Sequence, residues 1–116
     1  MSDDYSKLIK PYRTFIDELA RERYRVFKVY DFFLLGKRDP CRVNVVLRVD
    51  VDSGLHLSLR LARILKSKGL EASFYFLTIP SRYYDVWRGI NVVKQIADMG
   101  FEVGLHSDHY YEQLTR

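Results

Sequence analysis

Two short stretches of the chain end an apolar run on side chains that can do chemistry. In LRVDVDSGLH, Asp50 and Asp52 stand two residues apart, and in FEVGLHSDHYYE the apolar run stops at His106, with His109 close behind. Carboxylate and neutral imidazole are good ligands for Zn²⁺, and also for Co²⁺, Mn²⁺ or Fe²⁺. A metal lowers the pKa of its bound water, and a neighbouring carboxylate can then remove a proton from it. These residue types therefore predict a divalent metal site with a base beside it.

Each candidate also has an ordinary structural explanation. An aspartate at the end of a strand commonly caps the helix or turn that follows, and Asp52 is followed by Ser-Gly. A single histidine such as His106 is more often structural than a ligand, and His109 lies in a tyrosine-rich segment where it can simply be exposed. His56 is expected on the surface of a helix. The sequence alone leaves these alternatives open.

The elements that must position these side chains alternate between strand and helix. Runs of β-branched and aromatic residues predict strands, and apolar residues at helical spacing predict helices between them. The predicted strands cover 43–51, 71–77 and 101–106, and the predicted helices cover about 55–68 and 88–99. This alternation implies right-handed βαβ units and a parallel sheet. Because ligand sites form at the carboxyl ends of such strands, we expect Asp52 and His106 to meet there.

Alternation of side chains gives each predicted strand one apolar and one polar face. The apolar face of the first strand, which we assign to the helices, holds Val43, Val45, Leu47, Val49 and Val51. Its other face holds Asn44, Val46, Arg48, Asp50 and Asp52. In the third strand Phe101, Val103 and Leu105 oppose Glu102, Gly104 and His106. The pattern leaves open whether Phe74 and Phe76, or instead Tyr75, face the polar side.

The helices have predicted buried stripes of their own. The stripes are Leu57, Leu61, Ile64 and Leu65 in the first helix, and Ile90, Val93, Ile96 and Ala97 in the second. An earlier helix is predicted over about 3–23, with Leu8, Tyr12, Phe15, Ile16 and Leu19 at helical spacing. Pro11 either kinks that helix or opens a second one. The aromatic stretch YRVFKVYDFFLL predicts a short strand followed by a helical turn.

Composition limits the class of protein. The chain has 116 residues, of which 47% are hydrophobic, so we expect one domain over 1–116, with a helical lead-in at 1–40 and a βαβαβ core at 41–116. No apolar run is long enough to span a bilayer, and no signal peptide is evident. Cys41 is the single cysteine, which favours a cytoplasmic setting. The net charge of +4 comes from interspersed charges, so nucleic-acid binding is only a weak alternative.

Several motifs together resemble one enzyme family. LRVDVD, then KSKGLEASFYFL, then VVKQIADMGFEVGLHSD is similar to the first half of a polysaccharide deacetylase of the NodB-like group, carbohydrate esterase family 4. A less characterised branch of this group reads roughly LRHDVD, ASYFF and GHEIGLHFD. The resemblance covers about residues 44–112, with the motifs in the right order and spacing.

The resemblance implies half of a (β/α) barrel and metal-dependent removal of N- or O-acyl groups from sugars. The family's general base falls on Asp50, and its metal ligands fall on Asp52 and His106. The family's second histidine lies four residues after the first, where this chain has Tyr110; His109 lies three residues after the first, and a shifted loop could still bring it in as the third ligand. The family's later motifs have no counterpart here.

The function expected from these observations is that of a metal-dependent carbohydrate deacetylase-like hydrolase, with Zn²⁺ as the first choice of metal. The alternative is a non-catalytic structural or interaction module derived from such an enzyme. Because half a barrel leaves strand edges and apolar surface open, the chain is also expected to form a homodimer.

Overall fold

The computed structural model describes residues 3–52, 54–77 and 85–106, and shows a mixed α/β fold with short parallel sheets. The helices are α1 (Asp3–Ser6), α2 (Lys10–Leu19), a π-helical turn (Tyr30–Leu34), α3 (Leu55–Ser67) and α4 (Ile90–Asp98). The strands are β1 (Tyr24–Phe27), β2 (Val43–Val46), β3 (Arg48–Val51), β4 (Ser73–Leu77) and β5 (Glu102–His106). Within these residues, no helix combines the length and apolar character that crossing a membrane requires.

The central sheet has three parallel strands in the order β3-β4-β5, with α3 and α4 as the crossover helices. The prediction of βαβ units with a parallel sheet is therefore confirmed. Glycine ends α3 as expected, because Gly69 has a φ of +70° and the Leu70 N–H donates to the Leu65 carbonyl at 3.0 Å.

The prediction of one strand over 43–51 is wrong, because the segment divides at Leu47. Its first half, β2, pairs in parallel with β1 to form a separate two-stranded sheet, and its second half, β3, pairs with β4. Apolar and polar side chains alternate through both β2 and β3. The sequence pattern therefore does not indicate that the strand partner changes from β1 to β4 at Leu47. The strand predicted in the lead-in is β1, and the helical turn predicted after it is the π-helical turn at Tyr30–Leu34.

Phe74 and Phe76 form the centre of the core, at 0% and 1% exposure, against Ile64 and Leu65 of α3 and Ile96 of α4. This packing answers the question that alternation left open. Since neighbouring side chains of a strand point to opposite faces, Tyr75 lies on the polar side of the sheet.

Parts of the predicted stripes are wrong. On α3, Leu57 is 62% exposed, whereas Leu59 and Ala62 are buried. On α4, Val92 and Ile96 are buried and Ala97 is exposed. The stripe predicted from helical spacing is displaced by about one residue from the face that is buried. Several leucines lie around α3, and only packing decides which of them the sheet covers.

Two strand-end residues also differ from the prediction. Val43 is 49% exposed and Leu105 is 74% exposed, although alternation places both on the helix side. Both lie at the end of a strand, one at the start of β2 and the other near the end of β5 at the edge of the sheet. Alternation predicts which face a side chain takes, but not how far the helices extend over that face.

The predicted N-terminal helix is two helices, with Pro11 in the first turn of α2. This is the second of the two alternatives for Pro11, and proline suits that position because the first N–H groups of a helix have no partner. Ile16 and Leu19 are buried as expected, but Tyr12 and Phe15 are 60% and 53% exposed.

Candidate metal site on the polar face of the sheet

The polar face of the sheet is built of three rows that the strand register sets. The first row is Arg48, Ser73 and Glu102, and the second is Asp50, Tyr75 and Gly104. Leu77 pairs with His106, and Asp52 follows the last residue of β3, so the third row is Asp52, Leu77 and His106. The rows run from the amino to the carboxyl ends of the strands.

Asp52 and His106 come together across the central strand. The Nε2 of His106 lies 3.2 Å from the Oδ1 of Asp52, and the two side chains are 29% and 71% exposed, respectively. Parallel pairing of both outer strands with β4 brings the two strand ends to the same edge. The N-cap of α3 is Gly54, with no side-chain cap, so Asp52 is not the N-cap of this helix; Ser53, in the turn that Asp52 was alternatively expected to cap, lies outside the described residues.

The separation suits two ligands of one metal ion. At the usual Zn–N and Zn–O distances, two ligands of a tetrahedral Zn²⁺ lie about 3.3 Å apart. A direct ion pair between a protonated imidazole and a carboxylate has a similar distance, so the geometry fits both arrangements. Within residues 3–52, 54–77 and 85–106, no group of three potential ligand side chains comes together. His109, the predicted third ligand, lies outside the described residues.

Asp50, the predicted base, lies one row before the Asp52–His106 pair. A row spacing of two residues places it about 6.6 Å away along the strand direction. The Nε–H of Arg48 donates to Oδ1 of Asp50 at 2.7 Å, and the Asp50 side chain is 40% exposed. This hydrogen bond raises the pKa of Arg48 above its ordinary value. Asp50 is therefore oriented by the protein and open to solvent at once.

Tyr75 lies under this ion pair. The guanidinium of Arg48 stacks on the Tyr75 ring, 4.3 Å from its centroid, and the Tyr75 hydroxyl donates to Glu102 at 3.4 Å. A Cβ on Gly104 would lie only 2.5 Å from Tyr75 Cε1, so glycine leaves the space that the ring occupies. Burial, and then the charge of Glu102, raises the pKa of Tyr75.

The segment after β1 closes the amino end of the polar face. The Val29 N–H donates to Ser73 Oγ at 2.9 Å, and the Tyr30 N–H donates to a Glu102 carboxylate oxygen at 3.3 Å. Ser73 Oγ donates to the same oxygen at 2.5 Å. Sequence reasoning placed Glu102 on the polar face but missed this network, because a contact 72 residues apart in the chain leaves no local pattern.

The remaining candidates lie apart from these rows. His56 is exposed on α3, as expected, and Cys41 is an exposed free thiol. No protein-family model, curated protein or solved structure matches this chain. The family resemblance therefore stands on the quoted motifs alone.

Proposed function

We propose that the chain is a metal-dependent carbohydrate deacetylase-like hydrolase. The observation that carries the proposal is the 3.2 Å approach of His106 Nε2 to Asp52 Oδ1 at the carboxyl ends of parallel strands. Asp52 and His106 would hold a divalent metal, Zn²⁺ first and Co²⁺, Mn²⁺ or Fe²⁺ as alternatives, and His109 is the proposed third ligand.

The chemistry of the two described side chains fits such an ion. Both are partly exposed, so an ion reaches them from solvent without displacing packed core. A carboxylate and a neutral imidazole together supply one negative charge, which leaves Zn²⁺ with net positive charge. Bound there, the metal would supply a water of lowered pKa and polarise an acyl carbonyl.

Asp50 is the proposed general base of this site. Its carboxylate is fixed by Arg48, and the stacked Tyr75 ring limits where Arg48 can move. A base that is already oriented loses little freedom when it accepts a proton from water. The substrate class, an N- or O-acylated sugar, comes from the motif resemblance, and the proposed compartment is the cytoplasm.

Metal binding and hydrolysis provide separate tests of the proposal. Calorimetry should show one Zn²⁺ or Co²⁺ bound per chain, and Asp52→Asn and His106→Ala should each weaken binding at least tenfold. His56→Ala is the matched control, because it removes an exposed histidine away from the polar face. Release of acetate from N-acetylated chito-oligosaccharides should need both the metal and Asp50. Equal Zn²⁺ affinity in all four proteins would contradict the metal site.

The second candidate is a non-catalytic interaction module that forms a homodimer. One observation favours it: Phe33, Leu34 and Leu35 after β1 are 67%, 72% and 53% exposed. Adjacent exposed apolar side chains usually mark a surface that binds a partner. Sedimentation at micromolar concentration tests this candidate, since Phe33→Ser with Leu34→Ser should then convert a dimer to a monomer.

A further inference from the structure

An apolar groove lies on the other side of the molecule, between α1 and α2 on one wall and α3 on the other. Its volume is about 720 Å³, and residues such as Leu8, Phe15, Leu47, Leu57, Leu61 and Leu65 line it. Cavities that bind small molecules commonly have volumes of about 300–1,000 Å³ and mostly apolar walls. The groove is separate from the polar face, because Leu47 and Val49 contribute to it from the opposite side of the strand segment.

Polar contacts tie the walls of the groove together where α1 lies. The Nε–H of Arg60 on α3 donates to Oδ1 of Asp4 on α1 at 2.8 Å, and the Tyr5 hydroxyl donates to Asp17 on α2 at 2.5 Å. These two contacts fix α1 against α3 and against α2. Pro11 then fixes the first turn of α2, so the two N-terminal helices remain distinct.

The lining determines the chemistry of a ligand. The walls are largely aliphatic, and a polar group buried against them would lose its hydrogen bonds to water without replacement. The charged residues of the lining are Asp4, Lys7 and Arg60. Asp4 neutralises Arg60, whereas Lys7 is exposed and makes no ion pair with any side chain that the structure describes, the first of which is Asp4. Among the described side chains, the groove therefore presents hydrocarbon walls and one positive charge, that of Lys7, with no described carboxylate paired to it.

We propose that this groove binds a single-chain fatty acid, with the hydrocarbon chain between α2 and α3 and the carboxylate beside Lys7. Charge complementarity favours this ligand over a neutral lipid, and the aliphatic lining favours it over a sugar or nucleotide. Tyr12 and Phe15 are 60% and 53% exposed. A bound hydrocarbon chain would cover part of both rings and so remove apolar surface from water.

Fluorescence titration with a dansyl-labelled long-chain fatty acid, displaced by unlabelled palmitate, tests the proposal. Saturable binding of one molecule per chain is expected. Phe15→Ser should weaken it roughly tenfold, because an aromatic contact is lost. Lys7→Glu should weaken it roughly threefold or more, and hexadecanol should compete less well than palmitate.

Matched controls lie outside the groove. Phe33→Ser removes a phenylalanine that is 67% exposed, against 53% for Phe15, and Lys94→Glu reverses a charge on α4, so both should leave the affinity unchanged. Leu57→Gln is a second groove variant at a position that is 62% exposed, should Phe15→Ser fold poorly. The proposal is overturned if the groove variants bind as tightly as the controls. It is also overturned if the wild type binds no fatty acid and instead forms a dimer that Phe15→Ser dissociates.

Discussion

The imidazole of His106 and the carboxylate of Asp52 lie 3.2 Å apart, although 54 positions separate them in the sequence and β4 lies between their strands. The two side chains reach each other over Leu77, which is paired with His106. The arrangement depends on the parallel register of all three strands. A slip of β5 by one residue would move His106 to the helix side of the sheet.

Asp52→Asn should fold normally. The Asp52 side chain is 71% exposed, and exposed ion pairs contribute about 0–1 kcal/mol to stability. We therefore expect its free energy of unfolding in urea to fall by less than about 1 kcal/mol. A larger loss would mean that the Asp52–His106 ion pair stabilises the fold. Weaker metal binding by this variant would then be explained by partial unfolding rather than by a lost ligand.

Phe74→Ala should destabilise the protein by about 3–5 kcal/mol, because it leaves a cavity at the centre of the core. Phe74 is fully buried and packs edge-to-face on Phe101, with ring centroids 5.3 Å apart. Leu105→Ala on β5 is the control, since Leu105 is 74% exposed. Urea denaturation of both variants provides the comparison, and similar losses in the two would contradict the burial of Phe74 at the centre of the core.

Gly104→Ala should cost about 1–3 kcal/mol of stability through overpacking against the Tyr75 ring. The same change should cost much less in a Tyr75→Ala background, where the ring is absent. A double-mutant cycle measured by urea denaturation gives the coupling between the two positions. Additive effects would show that the ring does not lie over Gly104.

Stability should fall at alkaline pH in a way that depends on Tyr75. Burial and the charge of Glu102 raise the pKa of Tyr75, so the folded state holds this proton more tightly than the unfolded state. The resulting stabilisation is complete below the unfolded pKa of about 10 and is lost as the pH rises through the folded value. Tyr75→Phe should flatten this decline.

Thermal unfolding between pH 8 and pH 11 measures the effect, with these values chosen to bracket a tyrosine pKa of about 10. Tyr12→Phe is the control, because Tyr12 is an exposed tyrosine on α2. Tyr5 also has a raised pKa, caused first by its hydrogen bond to Asp17, so Tyr75→Phe should remove only part of the decline. An unchanged alkaline decline in Tyr75→Phe would contradict the prediction.

The sequence predicts the βαβ order and the meeting of Asp52 with His106, because both follow from local periodicity and parallel topology. It does not predict that β2 and β3 belong to different sheets, since the choice of strand partner depends on residues far away in the chain. The same limit hides the contacts of Glu102 with Ser73 and Tyr30, which form only in the assembled register.

The exposed groove residues show a second limit of local patterns. Periodicity predicted that Leu57, Tyr12 and Phe15 would be buried, because each lies at helical spacing from buried neighbours. Whether a second element covers such a stripe depends on how α1, α2 and α3 are held relative to one another. Polar contacts such as Asp4–Arg60 decide that spacing, and they join residues 56 positions apart.

The most direct test of the central claim is the nitrogen chemical shift of the His106 side chain, measured by NMR during titration with Zn²⁺. The account predicts that the Nε2 signal shifts to the range of a metal-bound imidazole at one equivalent of Zn²⁺, and that Asp52→Asn weakens this response at least tenfold. The His56 signals should stay unchanged over the same titration. A His106 signal that does not respond to Zn²⁺, or that responds equally in Asp52→Asn, would contradict a metal site at this pair.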